Sequence, residues 1–167
     1  MRSRLTRWWV HLLHQGWPLR HAFPARTLDA IEEAISAGEQ EHGAELRFVV
    51  EARLGALAVW AGVTPRARAA ALFSDLRVWD TEANNGVLVY VLLADRAVEI
   101  VADRGARARV QDEVWSKACA TMTTAFAAGD FEAGTVHALA NLAEALAAAF
   151  PLGADNPDEL PNRPTVL

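Results

Sequence analysis

Cysteine is nearly absent from this 167-residue chain, where Cys119 stands alone. No intrachain disulfide can form, and a cysteine-rich zinc site is excluded. No arginine and glycines follow Cys119 to cradle a phosphate, so it reads as a buried packing residue. Also missing is any uninterrupted apolar run of the ~18–20 residues that span a bilayer. The N-terminus lacks the form of a signal peptide, because "WWVHLLHQGWPLRH" is interrupted by His11 and His14 and offers no small-residue cleavage site. The expected address is therefore cytoplasmic. There is no Gly-rich phosphate loop, and Ser3, Ser36, Ser74 and Ser116 lack a nucleophile-elbow context. Acids are missing from residues 1–26, which carry Arg2, Arg4, Arg7, Arg20 and Arg26, whereas the remaining 141 residues hold 11 bases against 21 acids. A body so acidic lacks the clustered basic face that nucleic acid requires, and no nucleic-acid partner is expected.

What is present is the composition of one globular domain, 52% hydrophobic and 22% charged. Leu5, Trp8, Trp9, Leu12, Leu13 and Trp17 follow helical spacing with Arg4, Arg7, His11 and His14 on the other side, which predicts a basic amphipathic helix over 3–15. Its apolar stripe suits docking on its own domain, on a second copy or protein partner, or on a membrane surface. His11 and His14 read as ordinary polar-face residues. Thr27 is the expected cap of a helix with Leu28, Ile31, Ala34 and Ile35 inward, closing near Gly43. "ELRFVVE" (45–51) reads as a buried strand, 52–63 as either a helical turn or an edge strand, and Thr64-Pro65 as the start of a helix reaching about Leu76.

"VLVYVLL" (87–93) and "AVEIVA" (97–102) are β-branched runs separated by three residues, the mark of an antiparallel hairpin. The first, apolar on both faces, is the expected central strand, and the second lies nearer an edge. One long helix is expected from Arg107 to Gly129 and another, capped by Asp130, with Leu139, Leu142, Leu146 and Phe150 inward. The order predicts an α/β sandwich on a small mixed sheet that includes one antiparallel hairpin. Its divisions are 1–26 as helix and linker, 27–150 as the α/β domain, and 151–167 as a Pro-rich irregular tail.

The hairpin also sorts the acids around it. Asp80, Glu82, Asn84 and Asn85 precede the first strand, and Asp103 ends the second, so all five gather at one sheet edge. Asp95 and Arg96 sit at the tip, roughly 20 Å away at ~3.3 Å per residue, and read as turn residues. Glu51 is expected at that same far edge. The first cluster offers hard oxygens of the kind that bind Ca²⁺ or Mg²⁺, and it equally suits a solvated sheet rim. Asn85-Gly86 fits a tight turn.

"NNGVLVYVLLADRAVEIVADRG", the preceding "VWDTE" and the later "FAAGDFEAGTVHALANL" resemble the TPM-domain family, which includes thylakoid-lumen phosphatase-like proteins and bacterial members. The resemblance covers about residues 28–150, in a short form without the signal peptide or transmembrane tail of many relatives. It implies an α/β/α sandwich, a divalent cation reported as calcium for some members, and a weak acid phosphatase activity proposed for plant members. Carried onto this chain, the matching positions are Asp80, Asn84, Asn85 and Asp103. A Gly-x-Gly turn common in relatives is replaced here by Asp103-Arg104-Gly105. The expected function is a protein-interaction module with a divalent-cation site, non-enzymatic or weakly enzymatic. The alternatives are a metal-assisted phosphatase and a membrane-peripheral assembly factor working through its N-terminal helix.

Overall fold

The run Leu46–Glu51 puts Leu46, Phe48 and Val50 on one face and Arg47, Val49 and Glu51 on the other, and both faces are buried. The computed structural model describes Arg7, His11, residues 17–153 and residues 158–167, with only the backbone of Trp17 and Pro18. In it Leu46–Glu51 (β1) and Val87–Leu92 (β2) are buried throughout. They pair in parallel, Leu46 opposite Val87 and Glu51 opposite Leu92. Ala97–Ala102 (β3) folds back antiparallel on β2, with Val87 opposite Ala102. Thr165–Val166 (β4) adds in parallel to the other side of β1, giving the order β3-β2-β1-β4.

The helices described are Trp17–Ala22 (α1), Ala25–Glu39 (α2), Ala56–Trp60 (α3), Pro65–Asp75 (α4), Arg104–Arg109 (α5), Asp112–Ala128 (α6) and Phe131–Ala149 (α7). Strand alternation divides the core in two. Phe48, Val50, Val89 and Val91 face Ile31, Ile35, Met122, Leu142 and Leu146 of α2, α6 and α7. Val49, Leu88, Tyr90 and Leu92 face Leu54 in the loop before α3 and Val59, Ala69 and Leu72 of α3 and α4. The sheet is thus covered on both sides, as a mixed α/β/α sandwich. Phe23 is packed among Phe48, Phe126 and Phe131 with ring centroids 5.6–5.9 Å apart, tying α1 to the larger core.

Local rules explain most helix ends. Thr64 Oγ1 accepts from Ala67 N at 3.1 Å with Pro65 at the first helical position, as expected. Gly129, at φ 89°, stops α6. Elsewhere tertiary packing wins. Pro24, not Thr27, takes the N-cap position of α2; Thr27 is buried, and its hydroxyl donates to Glu132 Oε2 at 2.6 Å. The helix expected from Arg107 is two helices, because Val110 is extended (φ −106°, ψ 131°) and buried in the core. Asp130 stands at the N-cap of α7 but makes no side-chain cap bond. The tail is only partly irregular, since its last residues form β4, with Leu167 N donating to Val50 O at 2.9 Å. The apolar stripe expected over 3–15 falls on positions outside the described residues.

Candidate functional site

The antiparallel return of β3 places Asp103 opposite Gly86, and Asp103 N donates to Gly86 O at 2.9 Å. The approach to β2 is tightly coiled. Asn84 N donates to Thr81 O at 3.2 Å, Asn85 N to Thr81 Oγ1 at 3.1 Å, and Asn84 adopts φ 52°. Gly86 lies so close to the chain before it that a Cβ there would sit 1.8 Å from Val78 O; glycine is required for the approach. At Gly105 a Cβ would fall 2.5 Å from Asn84 O and 2.9 Å from Ala83 O. Backbone oxygens of the 83–84 turn therefore crowd the start of α5.

Two side chains point inward at this junction. Asn85 is 2% exposed; its Nδ2 donates to Gly43 O, while its Oδ1 is buried without a hydrogen-bond partner. Asp103 is 8% exposed; its Oδ1 accepts from Arg104 N at 2.7 Å, capping α5, while its Oδ2 is buried and unpartnered. A buried oxygen without a donor is costly, about 1–3 kcal/mol, and each of these two requires a reason.

The remaining predicted residues are arranged differently. Asn84 is exposed and contributes the left-handed turn. Asp80 is exposed on the rim, its carboxylate 3.8 Å from Arg77. Glu82 is also exposed, and its N–H donates to the Glu159 carboxylate at 3.1 Å. Among the described residues no three His, Cys, Asp or Glu side chains gather as a metal-ligating group. The donor set at this edge is thus one carboxylate oxygen, one amide oxygen and neighbouring backbone carbonyls, which is oxygen chemistry suited to a hard cation.

Beside it, at the start of β1, lies a second cluster of buried titratable groups. Glu45 O accepts from Val87 N at 2.8 Å, and its Oε2 accepts from Leu160 N at 3.0 Å. Glu39 Oε1 accepts from Leu46 N at 3.0 Å. Burial pushes the Glu39 carboxyl up to about 8, with Glu45 and Asp158 adding repulsion, and burial also raises Glu45. His42 is driven down by burial, its Nδ1 accepting from Ala44 N at 3.2 Å. The clue was the density of "GEQEHGAE" immediately before an apolar strand.

The opposite sheet end carries Glu51 and Asp95, as expected, but Asp95 does more than turn the chain. Arg7 Nη2 reaches Asp95 Oδ2 at 2.7 Å and Val63 O at 2.8 Å, and Arg7 Nε is 3.0 Å from Asp95 Oδ1. His11 is buried rather than displayed on a polar face; its Nδ1 accepts from Leu54 N at 2.9 Å and its Nε2 lies 3.2 Å from Asp95 Oδ1. Burial opposes ionisation of Asp95, but Arg7 and His11 outweigh it and hold the carboxyl below its usual range. Glu51 is enclosed by Tyr90 Oη at 2.7 Å and Arg68 Nε at 2.9 Å. Cys119 is half-buried, and burial pushes its thiol up to about 11, which makes it inert as a nucleophile.

The model of the TPM domain matches residues 20–145. The chain belongs to the TPM-domain family. The TPM domain here is also similar to the BA42 protein of the psychrophilic bacterium Bizionia argentinensis, solved by NMR. The two share 30% identity at a TM-score of 0.76, over 86% of this chain and 94% of that one. No curated protein matches the chain. Among the described residues of this TPM-domain chain, no helix is long and apolar enough to cross a membrane.

Proposed function

We propose that this TPM domain is a protein-interaction module that holds a divalent cation, calcium before magnesium, where β2 begins and β3 ends. The observation that carries this reading is the pair of buried, unpartnered oxygens, Asn85 Oδ1 and Asp103 Oδ2, on neighbouring positions of one sheet edge. A cation reaching either oxygen would supply the partner that the protein does not. Asn85 and Asp103 would hold the ion, with Asn84 shaping the turn and Asp80 supplying negative charge from the rim. One buried carboxylate is a weak charge complement, so affinity belongs in the roughly 10⁻⁴–10⁻³ M class. The bound ion would supply positive charge and rigidity to the loop joining α4 to β2.

Calcium titration followed by thermal melting tests this reading, using the intact chain and Asp103→Asn. The Asn variant keeps an oxygen to cap α5 while removing the charge. At calcium about 50-fold above Kd the intact protein gains about 2.3 kcal/mol, or roughly 5–9 °C. Asp103→Asn should lose most of that gain. An unmoved melting temperature at about 50 mM calcium, about 50-fold above the weaker end of that class, or an equal gain in both proteins, overturns the proposal. Hydrolysis of p-nitrophenyl phosphate, present in the intact chain and abolished in Asp103→Asn, would move the reading to a metal-assisted phosphatase.

A further inference from the structure

A cavity of about 300 Å³ opens where the β2–β3 hairpin turns, lined by that hairpin, α1, the last turns of α6 and the first residue of α7. It lies at the carboxyl end of β2, the end of a parallel pair at which α/β sheets hold ligands, with Asp103 at the other end of the strand. Eight of its ten described lining residues are apolar, Ala22, Val91, Leu93, Phe126 and Phe131 among them, and none is acidic. Phe126 and Phe131 stand with ring centroids 5.1 Å apart, and both are only half-buried. The polar side chains of the described lining are Thr123 and Arg96.

Arginine is an unfavourable choice at position 96. Arg96 N donates to Leu93 O at 3.0 Å to close the three-residue turn, and Arg96 adopts φ 53°, a conformation that glycine enters freely and other residues do not. Its guanidinium gains no partner in return: it is exposed, and among the described residues it has no ion pair or hydrogen bond. Asp95 beside it is held by Arg7 and His11. Arg77 shares the left-handed conformation but has Asp80 at 3.8 Å. Arg96 is therefore a free cation on the lining of an apolar cavity with no acid in its described wall. The complement is one anionic group carrying an apolar tail, since an uncharged occupant leaves Arg96 unused and a bare anion leaves the phenylalanine rings to water.

We infer that this cavity binds an aliphatic monocarboxylate, its tail against Phe126 and Phe131 and its carboxylate on Arg96. A guanidinium presents two parallel N–H groups to a carboxylate, which fixes the head of the ligand, while burial of the tail supplies most of the affinity. The volume suits a chain of about ten carbons, at the ~30 Å³ that one water fills in the liquid. None of these residues belongs to the Asp103 edge, so the inference stands or falls independently of calcium binding.

Titration of the isotopically labelled intact chain with sodium decanoate, decanol and sodium acetate, followed by amide shifts in NMR, tests the inference. Decanoate should move the amides of residues 91–97 and 123–131 and bind at least about tenfold more tightly than decanol, the margin of one hydrogen-bonded charge. Acetate, which has the charge without the tail, should leave those amides unmoved at the same concentrations. Arg96→Gly should reduce decanoate to the affinity of decanol while keeping a melting temperature no lower than that of the intact chain, because glycine suits the turn. Ala127→Phe, at an exposed position of α6 on the cavity wall, should weaken decanoate and decanol alike by about tenfold or more. Decanoate that leaves those two segments unmoved at about 1 mM overturns the inference. So does equal affinity for decanoate and decanol, or undiminished decanoate binding by either variant.

Discussion

Glu39→Gln should stabilise this TPM domain at alkaline pH and leave it nearly unchanged at acid pH. Burial raises the Glu39 carboxyl from 4.5 to about 8, with Glu45 and Asp158 opposing its ionisation. The folded state therefore keeps a proton that the unfolded chain releases, so stability falls as pH climbs from about 4.5 to about 8 and is level above that. At about 1.4 kcal/mol per pH unit the ceiling is about 5 kcal/mol. Glu39 is only half-buried, so solvent screening at least halves the figure, to about 2 kcal/mol. Glutamine retains an oxygen for Leu46 N and carries no charge to bury. Melts of both proteins at about pH 5 and about pH 9 should differ by roughly 4–8 °C at the higher pH and by little at the lower. His42, lowered by burial, gives the opposite slope, with stability rising as pH climbs toward 6.5. That slope and the one from Glu45 are common to both proteins and cancel in the difference. An equal difference in melting temperature at the two pH values would refute the reasoning.

Gly86→Ala places a Cβ 1.8 Å from Val78 O and must displace the entry to β2. It should lower the melting temperature by roughly 6–12 °C, from a cost of about 3 kcal/mol, and reduce any calcium-dependent gain. A double-mutant cycle on Arg7→Ala and Asp95→Ala, followed by urea unfolding, should return a coupling of about 1–2 kcal/mol, since the bidentate pair is largely shielded from water. A coupling near zero would mean that the N-terminal segment is not held there. Thr64→Ala removes the α4 cap and should cost about 1 kcal/mol in the same assay.

The elements legible in the sequence were those governed by short-range rules. Strand boundaries followed from β-branched runs, the α4 start from Thr64-Pro65, and the antiparallel hairpin from its three-residue connection. From the hairpin it followed that Asn85 and Asp103 share an edge while Asp95 does not. Features depending on contacts distant in sequence were not legible. Thr27 looked like a cap, yet its hydroxyl is taken by Glu132, 105 residues away. Val110 ended a helix because the core had room for its side chain. His11 and Asp95, 84 positions apart, carry no local signal of meeting. The chemistry at Asp103 was half legible, because its position followed from the hairpin while its unpartnered oxygen depends on which donors the fold leaves within reach.

In open parallel α/β sheets, ligands bind outside the carboxyl ends of the strands. For β1 and β2 that end holds Glu51 and Asp95. Both carboxylates are spent: Glu51 accepts from Tyr90 and Arg68, and Asp95 accepts from Arg7 on both oxygens. The opposite end is where acceptors remain unmatched. The antiparallel strand accounts for this reversal. A third parallel strand would enter the sheet beside Gly86, whereas β3 leaves it there, delivering Asp103 next to Asn85 just as the chain turns into α5. Asp103 must give one oxygen to that helix start, and its position against the Asn85 turn leaves the other with no protein donor. The proposed cation site at this edge would therefore follow from the hairpin, and variants that keep β1 and β2 but shift the register of β3 should lose calcium binding before they lose the fold.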